Sequence, residues 1–229
     1  NVRSEFEDKR NPVISVDAKK GELVGLFKNS GTTWSKKPIC VHDHDFPSTA
    51  KGVAIPYDVY DVQENLGFLF VGTSHDTPEF AAGSVTKWWR FHGCRQYPDA
   101  KELLVLADAG GSNSPRYRAW KQAVQKFCDR YGLTIRICHY PTGASKWNPI
   151  EHRLFSEVSK NWAGRPLESY ETILNYAHTT KTRTGLKVKS YLDLKDYPTG
   201  VKVSDEEMER LSIQNSEILG KWNYTIKPR

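Results

Sequence analysis

Val13-Ile14-Ser15-Val16-Asp17 is a short apolar, β-branched run that ends on a carboxylate. Such a run predicts a buried strand, because Val and Ile fit a pleated surface packed on both faces. Asp17 then stands at the strand's C-terminal end, facing the opening at the sheet edge. Leu103-Leu104-Val105-Leu106-Ala107 repeats the pattern and delivers Asp108. A third acid, Glu151, lies in Asn148-Pro149-Ile150-Glu151-His152, where Asn-Pro predicts the cap and first turn of a helix running to about Trp162.

The intervening segments fill in a mixed sheet. Glu22 to Lys28 is a candidate second strand, and the Gly-, Pro- and His-rich stretch Asn29 to Gly52 reads as a loop excursion. Val53 to Val62 and Leu66 to Val71, joined by Gln63-Glu64-Asn65, suit an antiparallel hairpin. Thr77-Pro78-Glu79 opens a helix that stops near Gly93; Ser114-Pro115 opens another through about Tyr131, ended by Gly132. Leu133 to His139 is a further strand, followed by a Pro141 to Lys146 loop. Alternating strand and helix units after a meander predict an α/β fold: a mixed five-stranded sheet flanked by helices. Residues 1–165 make this core, and 166–229 are expected as a helical and irregular extension, with a helix from about Ser169 to Thr179 and a short segment near Val203 to Ser212.

The 229 residues carry a net charge of +6 and a pI near 9.0, a balance that suits a polyanionic partner. No run of 18 apolar residues and no export signal occurs, so no membrane partner and a cytoplasmic location are expected. Cys40, Cys94, Cys128 and Cys138 form no CxxC pair and read as incidental or buried thiols. His42-Asp43-His44-Asp45 has the alternation of a transition-metal ligand set, but no matching downstream ligands follow, and a polar loop is the preferred reading.

Taken singly, an Asp at a strand end caps turns and a Glu in a first helical turn complements the helix dipole. The ordered triple says more. Carboxylates converging from two strand tips and a helix start are hard oxygen ligands for paired Mg²⁺ ions, the device that cuts or joins phosphodiesters. Asp17, on the central strand, is the natural bridging ligand, with Asp108 holding one ion and Glu151 the other. Gly110-Gly111-Ser112-Asn113 either admits a close backbone approach or serves as a helix lead-in. Lys146 and Trp147 could meet a phosphate and a base, although Trp147 as a hydrophobic staple for the following helix is preferred. Lys19, Lys20, Arg153 and the Lys181 to Lys189 group are phosphate contacts or solvated faces; His139 and His152 are site neighbours or structural histidines.

Several stretches carry a family resemblance: Val16-Asp17-Ala18-Lys19-Lys20-Gly21-Glu22-Leu23-Val24-Gly25, Ala107-Asp108-Ala109-Gly110-Gly111-Ser112-Asn113, Ser145-Lys146-Trp147-Asn148-Pro149-Ile150-Glu151-His152-Arg153-Leu154-Phe155 and Thr182-Arg183-Thr184-Gly185-Leu186-Lys187, with Ala54-Ile55-Pro56-Tyr57, Gly200 to Glu207 and Trp222-Asn223-Tyr224 extending it over almost the whole chain. The chain resembles the catalytic part of Rhodopirellula-type DDE transposases of bacterial insertion sequences. That resemblance implies a ribonuclease-H-like fold, Asp17, Asp108 and Glu151 as a metal-binding catalytic triad, and two Mg²⁺ ions, with Mn²⁺ able to substitute. It also implies strand cleavage and strand transfer, partners in transposon-end and target DNA, a homo-oligomer assembled on DNA, and work on the bacterial nucleoid. Asn-Pro-Ile-Glu-His is similar to the third-acid motif of mariner-like elements, which favours Glu151 over Glu157 or Glu168. Members of the family carry an N-terminal helix-turn-helix region that reads the element ends, and with 16 residues before Asp17 the chain is expected to lack that reader. A metal-dependent nuclease of the same fold, a catalytically idle DNA-binding or regulatory fragment, and, distantly, a zinc hydrolase built on His42 and His44 are the alternatives.

Overall fold

The computed structural model describes residues 2–141 and 143–229; Asn1 and Thr142, the latter in the Pro141 to Lys146 loop, lie outside the described residues. Its strands are β1 (Val13–Ala18), β2 (Glu22–Val24), β3 (Gly52–Asp61), β4 (Leu66–Gly72), β5 (Glu102–Asp108), β6 (Thr134–Tyr140), β7 (Lys187–Asp193), β8 (Ile213–Asn215) and β9 (Asn223–Ile226). The helices are α1 (Val2–Asp8), α2 (Pro78–Trp88), α3 (Arg118–Tyr131), α4 (Ser156–Trp162), α5 (Tyr170–His178) and α6 (Asp205–Glu209). One sheet runs in the order β7-β4-β3-β1-β5-β6-β9-β8, with β2 paired to β3.

At the centre, β1 is antiparallel to β3 and parallel to β5, and β5 is parallel to β6. Burial on both faces explains the unbroken apolar runs of β1 and β5. On one face, Ile14, Val16, Tyr57, Phe68, Phe70, Leu103 and Val105 pack against Phe80, Trp88, Trp120, Val124 and Phe127 of α2 and α3. On the other, Tyr60, Leu69, Val71 and Val188 meet Ile150, Leu154, Val158, Trp162 and Ile173, while Phe6 of α1 covers Val13, Leu104 and Leu106.

Local chemistry sets the helix ends. Thr77 accepts a hydrogen bond from the Phe80 N–H with Pro78 at the first position of α2, and Gly132 closes α3 in the left-handed conformation at φ 64°. Ser204 and Glu207 form a capping box on α6. Beyond its α-helical part, α2 continues through a π-helical turn, Trp89–Gly93, into Cys94–Gln96, past the expected stop. At Gly93 a Cβ would come within 2.5 Å of the Trp89 ring, so the residue read as a stop signal instead makes room inside the wide turn.

The sheet is wider than the five strands expected. The segment after residue 165, expected as helical and irregular, adds β7 parallel to β4 and the β8–β9 pair beyond β6. Each added strand is short or sits at an edge, and β7 and β9 pair with partners far upstream, β4 and β6, which local patterning does not register. Exposed Lys187 and Lys189 leave the β7 edge charged, a guard against further strand pairing.

Asp193 ties β7 to α2. Its carboxylate receives the Lys87 ammonium and the Tyr197 hydroxyl, the latter at 2.8 Å. Burial alone would raise the Asp193 carboxyl, but the hydrogen bonds from Lys87 and Tyr197 outweigh it and hold the group below the usual carboxylate range. A depressed acid stabilises the fold above its unfolded-state titration and loses that contribution as pH falls through its folded-state value. Asp193→Asn is therefore expected to destabilise the protein by about 2 kcal/mol at neutral pH, with the difference from wild type shrinking below pH ~4, as read by urea denaturation across pH.

Candidate active site

Parallel register brings two of the acids together. Val16 pairs with Ala107, so Asp17 and Asp108, the next residue on each strand, stand side by side at the same sheet end. Both lie on the Val13, Ser15, Leu104 and Leu106 face, which the alternation of the strands keeps separate from the larger core. Glu151 arrives on a separate element, as the first residue of a π-helical turn, Glu151–Phe155, that runs into α4. The expected helix to Trp162 is present, with a wide turn in its opening stretch of the kind that recurs at functional sites.

A buried hydroxyl fixes that helix start to β1. Ser15, fully buried two residues before Asp17, donates to Asn148 Oδ1 and accepts from the Ile150 N–H at 3.3 Å. Asn148, read from sequence as a helix cap, thus uses its side-chain oxygen to clamp the Glu151 turn onto the strand that holds Asp17. Gly67 on β4 lets the helix settle close: a Cβ there would come within 2.4 Å of Leu154.

Asp108 is held through its backbone as well as its side chain. Oδ1 accepts the Gly110 N–H at 2.7 Å, and its carbonyl accepts from Asn113 Nδ2 at 3.2 Å and His139 Nδ1 at 2.9 Å. A carbonyl only accepts, so His139 carries its proton on Nδ1 and takes the Tyr224 hydroxyl on Nε2 at 3.3 Å; Trp120 Nε1 donates to that same hydroxyl at 3.0 Å. Burial pushes His139 down to about 4, so it is a neutral brace. The Gly110 to Asn113 stretch is thus a structured turn around Asp108.

Electrostatics marks the cluster as short of positive charge. Burial, and then the charge of Asp108, push the Asp17 carboxyl up to about 8; Glu151 and Asp76 add to this, against one hydrogen bond from the Ala18 N–H at 2.8 Å. Glu151 is raised by burial and by Asp108. Sequence reasoning missed two acids here. Asp76, in the loop before α2, lies close enough to act on Asp17. Asp58 lies directly across from Asp17 in the β1–β3 register, 1% exposed, with neither oxygen hydrogen-bonded. Burial holds the Asp58 carboxyl well above its usual range, with Lys19 opposing and Asp17 reinforcing. A carboxylate expected in a strand end is visible from sequence; Asp58 hides in the middle of β3, where only the register with Asp17 reveals it.

Of the other sequence candidates, Lys19 pairs with Glu22 and lies 4.8 Å from the Trp162 ring centre, so it is engaged within the protein. Glu157 pairs with Lys160 along its own helix. His152 contacts the Lys146 carbonyl at 2.5 Å. His42 and His44 pack against Phe27 and Phe46 in the exposed excursion. Trp147 is 70% exposed and is not the helix staple, whereas Ile150 and Leu154 further along are fully buried. Among the described residues, no three His, Cys, Asp or Glu side chains are close enough together to hold a metal ion as they stand. The donor chemistry nonetheless fits hard divalent ions: carboxylates alone, mutually repelling, with orphaned buried oxygens on Asp58.

The sequence profile of the Rhodopirellula transposase DDE domain matches residues 1–228. The chain belongs to that family. No curated protein matches it. Among solved structures it is similar to the Mos1 transposase paired-end complex with left transposon end, at 13% identity and a TM-score of 0.52, over 76% of this chain and 49% of that one. The Mos1 strand transfer complex gives 13% identity and a TM-score of 0.49 over the same shares, and the Mos1 mariner paired-end complex with Mn gives 14% and 0.47 over 76% and 50%. At such identities the first likeness speaks for the fold, the ribonuclease-H-like fold of DDE transposases; the chain spans about half the length of the Mos1 chains. In this DDE domain Asp17 and Asp108 lie at the ends of β1 and β5, and Glu151 opens the turn before α4.

Two outcomes test this account of the cluster. Ser15→Ala leaves Asn148 and the Ile150 N–H short of a partner and is expected to cost about 1–3 kcal/mol in chemical denaturation. Asp58→Asn removes a buried ionisable group without a partner and is expected to raise the thermal midpoint of the metal-free protein at neutral pH, by roughly 2–4 °C per kcal/mol gained, as read by calorimetry.

Proposed function

We propose that this DDE domain is the catalytic domain of a DNA transposase: it hydrolyses a strand at the element end and joins the freed 3′-hydroxyl to target DNA. The observation that carries this is the side-by-side placement of Asp17 and Asp108 with Glu151 clamped beside them, a carboxylate cluster that lacks compensating positive charge. Asp17, Asp108 and Glu151 would hold two Mg²⁺ ions, or Mn²⁺ in their place. When bound, such ions stabilise charge on the attacking and leaving oxygens and ease deprotonation of the nucleophile.

The chain's own residues supply position. Asp17, on the central strand β1, is the natural shared ligand. The His139 and Tyr224 brace holds Asp108 at a fixed height on β5, while Ser15 and Asn148 set the approach of Glu151. Gly110 and Gly111, free of side chains beside Asp108, leave space for a sugar-phosphate backbone. Residues 1–165 carry the acids, and 166–229 serve as an extension that braces them. The net charge of +6 suits DNA as partner, with element ends and target held by a homo-oligomer in a bacterial cytoplasm.

Asp17→Asn, Asp108→Asn and Glu151→Gln are each expected to lower divalent-ion-dependent cleavage of labelled duplexes carrying element ends by at least about 10²-fold, with folding and nonspecific DNA binding retained. Cleavage at the wild-type rate in any one of them removes that residue from the set.

A further inference from the structure

Trp147 is anchored by its backbone and exposed by its side chain. Its N–H donates to the Ala144 carbonyl at 2.9 Å, the next residue is tied to Ser15, and the Glu151 N–H closes the turn on the Asn148 carbonyl at 3.2 Å. A 3₁₀ turn over Ser145–Trp147 holds the indole four residues ahead of Glu151, yet the residue is 70% exposed. The Lys146 ammonium lies 5.4 Å from the ring centre. A large aromatic held in water on a rigid base gains nothing for the fold: the core beneath is already filled by Ile150 and Leu154, both fully buried. What it offers is a flat apolar surface in the turn that leads into Glu151, with a cation beside it.

We propose that Trp147 is a stacking platform for one unpaired nucleobase of the DNA strand whose phosphate enters the site, and that Lys146 meets the adjoining phosphate. This rests on the reading of the site as a DNA-processing centre and names one of its contacts. An indole stacks on any base, since every base has a π-face, so the contact positions a strand end without reading its sequence. Hydrolysis of one strand creates a new 3′-hydroxyl end that is free to fray from its complement, and a stacked terminal base would keep that hydroxyl from swinging out of reach between the two steps. Lys146 supplies the charge complement, and its displacement from the indole by a base costs one weak cation–π contact.

The test uses the full chain in EDTA, with single-stranded oligonucleotides and 3′-overhang duplexes that carry 2-aminopurine at successive positions. One position is expected to be quenched by the wild type. Trp147→Ala is expected to abolish that quenching and weaken binding about 10-fold, ~1.4 kcal/mol, whereas Trp147→Phe keeps both within about 3-fold. Lys146→Ala should keep the quenching and reduce the salt dependence of binding by about one counterion. Unchanged quenching and affinity in Trp147→Ala overturn the proposal, as does a variant whose only change is in oligomeric state. Position-specific quenching that depends on Trp147 in a protein that never cleaves DNA would sustain the platform while overturning the catalytic reading, so the two failures are separable.

Discussion

Parallel pairing of β1 with β5 forces two carboxylates to leave the sheet as neighbours, and much of the surrounding structure contains that repulsion. In water such a pair would drift apart or take up a proton. Here the strands are locked by apolar packing on both faces, so the carboxylates stay, and burial together with the repulsion displaces the titration of Asp17. The mainchain of Asp108 is pinned from below by His139, and the turn that bears Glu151 is bolted to β1 by Ser15. Packing energy from Trp88, Trp120 and their neighbours on the other face of the sheet thus maintains an arrangement that electrostatics alone would disperse.

Much of the central architecture was readable in the chain because it is written in local terms. The β-branched run at Val13 and the leucine-rich run at Leu103 report burial on both faces, Thr77-Pro78 reports a capped helix, and Gly132 reports a left-handed stop. The wide turns at Trp89 and Glu151 leave no such trace: a π-helical turn differs from an α-helical one by a single residue of slack, and that slack is set by what the helix must reach. The three strands after residue 165 were likewise hidden, since each exists only by virtue of the strand that receives it.

The site divides in the same way. Asp17, Asp108 and Glu151 announce themselves by standing at element ends. Ser15, Asn148, Asp58 and Tyr224 do not, because a serine in a strand or a tyrosine near the chain's last strand acquires meaning only through a partner far along the chain. Trp147 shows the converse: adjacency to a helix start suggested a staple, and only its exposure reveals an aromatic left in water.

The brace on Asp108 also orders events in time. Tyr224 reaches His139 from β9, the strand that pairs with β6 at the far side of the sheet from β3. A nascent chain that has already emerged past Glu151 therefore holds all three acids but has not yet received the strand that steadies one of them. The brace closes only once β9 has been synthesised and docked, so full assembly of the cluster is a late step in the biosynthesis of the polypeptide.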